Sequence, residues 1–144
     1  MFSKSCEYGL RAVIFIAQQS LLDTKVSLTT ISEAIDSPQA FTAKILQQLT
    51  RNNIVSSIKG PHGGFYIEIE AMKTLNLSAV VKVLDGDDIY TGCGLGLKQC
   101  NEDKPCPLHF KFVDIREKLK YMLENTILIM LANDMELDIF HLKT

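Results

Sequence analysis

Three of the four cysteines, Cys93, Cys100 and Cys106, fall inside the eighteen residues Gly92–His109. His109 follows the last of them by one helical turn, so the two can point at the same metal. A soluble chain seldom gathers soft donors this densely unless something is bound there. Gly92, Gly94 and Gly96 loosen the backbone around Cys93. Pro105 and Pro107 stiffen it around Cys106, with Pro107 placed to open a helix. Three thiolates converging from a flexible loop suit an iron–sulfur cluster. Three Cys and one His also suit a structural zinc ion, and a loop of free thiols is a third reading. Cys6 stands apart; its helical spacing from Leu10 and Val13 marks it as a core thiol. Glu7 beside it is a ready partner for Arg11 at i, i+4.

Around this loop the chain reads as mainly α. Leu10, Val13, Ile14 and Ala17 predict an amphipathic helix over Ser5–Gln19. A second helix is expected over Ile31–Ile35, capped by Thr29 or Thr30, with a short strand at Val26–Leu28 before it. Asp36-Ser37-Pro38 breaks the pattern and starts a third helix, Gln39–Arg51, with Ser37 as cap and Pro38 in its first turn. Two β-rich runs, Ile54–Ile58 and Phe65–Ile69, flank a turn of Lys59-Gly60-Pro61-His62-Gly63-Gly64 and predict a hairpin. Leu75–Leu84 is helical again, with Asn76 or Ser78 near its start. From Leu108 onward, Leu108, Phe112, Ile115, Leu119 and Met122 step at heptad spacing, which predicts a long helix that pairs with its copy in a homodimer, packing on the N-terminal domain of its own subunit being the alternative. Asn125 or Thr126 restarts a short apolar helix.

Helix, helix, hairpin is the order of a winged helix-turn-helix. Between Ser37 and Ile67 the charged residues are Lys44, Arg51 and Lys59, with no acid, although the whole chain carries a net charge of −2. A local cationic face in a slightly acidic protein is the footprint of a phosphate-facing site rather than of a general nucleic-acid sponge. The apolar run Ile127–Ala132 is six residues long, too short to span a bilayer. Met1-Phe2-Ser3-Lys4 shows no cleavable leader, so a cytoplasmic chain with reduced thiols is expected. Nothing assembles a substrate pocket with an acid–base pair, and no enzyme is expected. The expected units are a DNA-binding domain over 1–84, a cysteine-rich cofactor loop over 85–107, and a dimerisation helix with a tail over 108–144.

Several stretches together resemble the Rrf-two family of bacterial winged-helix regulators. They are Tyr8-Gly9-Leu10-Arg11-Ala12, Ile31–Ala34, Ile45-Leu46-Gln47-Gln48-Leu49, the wing from Ile54 to Phe65, and the three cysteines followed by Pro107-Leu108-His109. The resemblance covers nearly the whole chain. It implies a sequence-specific transcriptional regulator of double-stranded DNA, controlled by an iron–sulfur cluster that senses cluster status, nitric oxide or redox state. It also implies that Gln39, Thr42, Ala43 and Lys44 lie near base edges, with Ser37 among the DNA-binding residues beside them and Lys59, Gly60, Pro61, His62, Gly63 and Gly64 on the minor-groove side. Cys93, Cys100 and Cys106 become cluster ligands. His109 is the favoured fourth ligand, as in members with a two-iron two-sulfur cluster; Glu7, reached from a partner subunit, is the alternative for a four-iron four-sulfur cluster. Lys59 stands where many relatives have Arg, and Asn53 replaces a usual Gly in a position where Asn tolerates left-handed backbone.

Overall fold

The computed structural model describes residues 1–144. In chain order the elements are α1 (Lys4–Leu21), α2 (Leu28–Ala34), α3 (Gln39–Arg51), β1 (Ser56–Ile58), β2 (Gly64–Tyr66), α4 (Ile69–Met72), α5 (Leu77–Asp85), α6 (Asp88–Thr91), α7 (His109–Asn125) and α8 (Leu128–Met135). The mainly helical fold with one small hairpin is as the sequence predicts.

Helix α1 is the hub because it is apolar over most of its circumference. Ala12, Val13, Ile16 and Ala17 are fully buried between α3, α5 and α8, where Ile45, Leu46, Leu49, Val80, Leu128 and Ala132 meet them. Truncating one such side chain, Ile16 for example, costs about 2–5 kcal/mol by lost transfer and cavity terms. Gly9 leaves room for α5, since a Cβ there would stand 2.1 Å from Leu84 Cδ1. A smaller cluster of Cys6, Val81 and Leu123 ties the start of α1 to α5 and α7, with Leu119 and Tyr90 against it. Ser3 caps α1 by accepting from Cys6 N at 3.1 Å, and its own amide donates to Asp85 at the end of α5.

Several starts and stops differ from expectation. α2 begins one turn earlier, because Ser27 rather than Thr29 or Thr30 accepts from Thr30 N and caps it. Pro38 occupies the cap of α3 instead of its first turn, and Ser37 turns its hydroxyl to Thr42 rather than to a free helix amide. Val26 makes only an isolated bridge to Phe65. The second wing strand stops at Tyr66, since Ile69 already opens α4. Arg11 does not pair with Glu7: it stacks on Tyr8 at 4.7 Å and donates to Ile35 O at 2.8 Å, pinning the end of α2 to α1. Glu7 pairs with Lys4 at 3.1 Å instead.

Candidate functional site

The turn between α2 and α3 is tight because Asp36 takes a left-handed conformation, φ 52°. Asn53 does the same after α3, φ 59°, and sends the chain into the hairpin. The β1–β2 register pairs Ser56 with Tyr66, Ser57 with Phe65 and Ile58 with Gly64. The wing turn requires two of its glycines for space. A Cβ on Gly63 would lie 1.9 Å from Ile58 O, and one on Gly64 (φ 139°) would meet Val26 O at 2.9 Å. The tip, Lys59 to His62, is exposed.

α3 buries Ile45, Leu46 and Leu49 and exposes Ala40, Lys44, Gln47 and Arg51 along one line. That line and the wing bound an open groove between Lys44, Gln47, Thr50, Arg51, Ser57 and Phe65. Two cations and an amide on one rim, without a carboxylate, suit phosphate and base-edge contacts. The side chains expected at base edges are placed unequally. Lys44 is exposed and Ala43 half-buried in the groove wall. Gln39 is exposed but donates to Thr29 Oγ1 at 3.2 Å. Thr42 is fully buried, its hydroxyl bonded to Pro38 O at 2.8 Å and to Ser37, so it braces the turn rather than facing outward. Gln47, Arg51 and Ser57 line the groove in its place. The signal for the two on α3 is the i, i+4, i+7, i+11 line from Ala40, which extends past the leading end of the helix.

The cysteine loop runs from Gly92 to Leu108 and packs on the start of α7. His109 is 3 % exposed and its Nδ1 stands 3.2 Å from Cys100 Sγ. Two donors on one tetrahedral metal stand roughly 3.6 Å apart, given metal–sulfur and metal–nitrogen bonds of about 2.3 and 2.1 Å. The pair therefore lies close to a ligating separation. Nε2 of His109 is buried and has no hydrogen-bond partner, an orphan that a native chain seldom leaves without a purpose. Cys93 is held below the usual thiol range by the N–H groups of Leu95 and Leu97, with further help from Cys106 and Gly96, while burial opposes. Amides gathered on a sulfur favour its anion, the form a metal needs.

The donor chemistry fits an iron–sulfur cluster, but the expected convergence is not complete. Cys93 stands with Cys106 and Cys100 with His109, and no three donors close on one point. The reason is that His109 is fixed on α7, whereas the thiols ride on a segment without regular structure. Glu7, paired with Lys4 on α1, joins no such group within the chain. Cys6 is buried as expected, its thiol pushed up to about 12 by burial and by Asp85 and Glu7 nearby. Two contacts of the loop were not expected. Phe112, placed by its heptad position at a seam between copies, lies against Gly94, where a Cβ would stand 2.4 Å from its ring. Arg116, a charged residue between the heptad positions, donates to Gly92 O and to Cys100 Sγ, the latter at 3.4 Å. The spacing 109, 112, 116 marks one stripe of α7 and is the signal for both.

Helix-turn-helix, groove and wing together define a winged-helix DNA-binding transcriptional regulator. Residues 2–134 match the family model Rrf2, described as iron-dependent transcriptional regulator. A candidate helix-turn-helix regulator of Aquifex aeolicus is 28% identical over 142 residues, 97% of this chain and 96% of that protein. The regulator IscR of Yersinia pseudotuberculosis is 27% identical over 130 residues, 90% of this chain and 77% of that one. Among solved structures, CymR (YrzC), the global cysteine regulator of B. subtilis, superposes with TM-score 0.72 at 21% identity, covering 93% of this chain and 97% of CymR. T. potens IscR also gives 0.72 at 20% identity, covering 98% and 93%. The chain belongs to the Rrf2 family of transcriptional regulators. No helix is long and apolar enough to cross a membrane.

Proposed function

We propose that this protein is a homodimeric regulator whose binding to a DNA operator is controlled by an iron–sulfur cluster held in the cysteine loop. The observation that carries the reading is buried His109, orphaned at Nε2 and 3.2 Å from Cys100 through Nδ1. Cys93, Cys100 and Cys106 would supply thiolates and His109 the fourth donor, which favours a two-iron two-sulfur cluster; Glu7 is the alternative for a four-iron four-sulfur one. When bound, such a group supplies reversible one-electron chemistry and sensitivity to oxidants or nitric oxide. The chain does the rest. Residues 1–84 form the reading head, with Lys44, Gln47 and Arg51 addressing the major groove and Lys59 to Gly64 following the neighbouring backbone. Residues 85–107 are the cofactor unit that contains the loop, and residues 108–144 carry the pairing helix, along one flank of which Leu108, Ile115 and Met122 are exposed. Burying that flank against a second copy sets the distance between two reading heads, which must match half-sites about one DNA turn apart.

Anaerobic purification tests the cofactor. Iron and acid-labile sulfide in the wild type, with visible absorbance lost in Cys100→Ser and shifted in His109→Ala, is the expected result. A colourless protein with stoichiometric zinc, or with neither metal, contradicts it. The separation of Cys93–Cys106 from Cys100–His109 favours one second reading, a regulator whose loop works through zinc or free thiols.

A further inference from the structure

We infer that Arg116 is the positioning residue that locks the cysteine loop to α7 and carries the state of the loop into that helix. Its side chain is half-buried beneath the loop. One guanidinium N–H group donates to Gly92 O and another reaches Cys100 Sγ at 3.4 Å. The two acceptors stand on opposite sides of Cys93 in the chain, so one side chain fastens both flanks of the first thiol. A planar fork serves two acceptors at fixed angles, which the single ammonium of Lys cannot reproduce.

Arg116 makes none of the chain's ion pairs, which join Lys4 to Glu7, Lys73 to Glu70 and Lys118 to Asp114. Its charge is directed to the loop. Below it on the same stripe, His109 meets Cys100 and Phe112 seals against Gly94. The loop thus rests on three α7 side chains, of which only that of Arg116 bonds to it at two points. A shift of Cys100 must pull on the guanidinium or release it. Release frees the first turns of α7, the helix whose other flank is the exposed apolar row of Leu108, Ile115 and Met122. The cluster reading concerns what occupies the loop; the lock is a property of the chain itself, and its experiment does not require a metal.

Amide hydrogen exchange on the metal-depleted full chain tests the lock, comparing wild type, Arg116→Gln and Arg116→Lys, with the core segment of α1 as internal control. The expected result is at least tenfold faster exchange over 92–100 and 109–116 in Arg116→Gln, no change in α1, and at most partial rescue by Lys. Alkylating the loop thiols with N-ethylmaleimide is expected to raise exchange in α7 of the wild type and to add nothing in Arg116→Gln. Unchanged loop exchange, an equal rise throughout the chain, full rescue by Lys, or an alkylation response that survives in Arg116→Gln would each overturn the inference. Iron and sulfide are assayed on the same preparation before depletion. Their absence would remove the cluster reading, while the exchange data alone decide the role of Arg116.

Discussion

At the scale of single residues, function is divided between groups that face outward and groups that hold them there. Lys44 and Lys59 face outward. Replacing either by Ala is expected to weaken DNA binding across sequences and to lower the slope of log K against log salt by about one, since each lost phosphate contact releases about one counterion fewer. Fluorescence anisotropy at several salt concentrations measures this; an unchanged slope in both variants removes the wing and α3 from the interface. Gly63 holds. Gly63→Ala drives a Cβ into a backbone carbonyl that cannot swing aside, and a loss of roughly 1–3 kcal/mol in denaturant unfolding is expected. Cys6 gives a pH signature. Its folded thiol is pushed up to about 12, so above the ordinary value near 9 the unfolded chain releases a proton that the folded chain keeps. The stability tied to neutral Cys6 is complete below pH 9 and fades as pH rises towards 12. Thermal melts of Cys6→Ala should show a shallower alkaline decline than wild type. At this scale the sequence was least transparent. Thr42 and Ser37 have side chains suited to DNA, yet each found a partner across a turn whose shape no local pattern reveals.

The elements were far more legible. α3 lies where its apolar stripe and flanking turn signals put it, and the hairpin follows from the alternation at Phe65 and the glycines before it. α7 shows where such reading stops. Its heptad places Leu108, Phe112, Ile115, Leu119 and Met122 on one seam, but the helix serves two faces at once. Phe112 turns to the loop and Leu119 to the Cys6 cluster, leaving Leu108, Ile115 and Met122 exposed. A one-dimensional period cannot tell a partner in the same chain from a partner in another. Pairing through the exposed row predicts that Ile115→Asp or Met122→Asp yields a monomer in sedimentation velocity while helical circular dichroism stays unchanged. A dimer that survives both changes would place the interface elsewhere.

For the molecule as a whole, two cores make one rigid path. The large core fixes α3 and the wing on α1, and the small cluster of Cys6, Val81 and Leu123 fixes α7 on the same helix. A loop resting on α7 is therefore connected to the reading head through packed side chains, the condition under which, in the proposed dimer, a local change would alter the separation of two heads. The donors of the loop were visible in the sequence because soft ligands are rare and clustered. Their pairing was not, because it depends on how a segment without regular structure folds over His109. Control of DNA affinity by the occupancy of this loop is open to a single titration. Double-stranded DNA selected from a random pool by the anaerobically purified protein is bound by that protein before and after iron is removed by chelation. At least a tenfold change in affinity that disappears in Cys100→Ser is expected; equal affinity before and after, in a protein shown to have lost its iron, would overturn control by the loop.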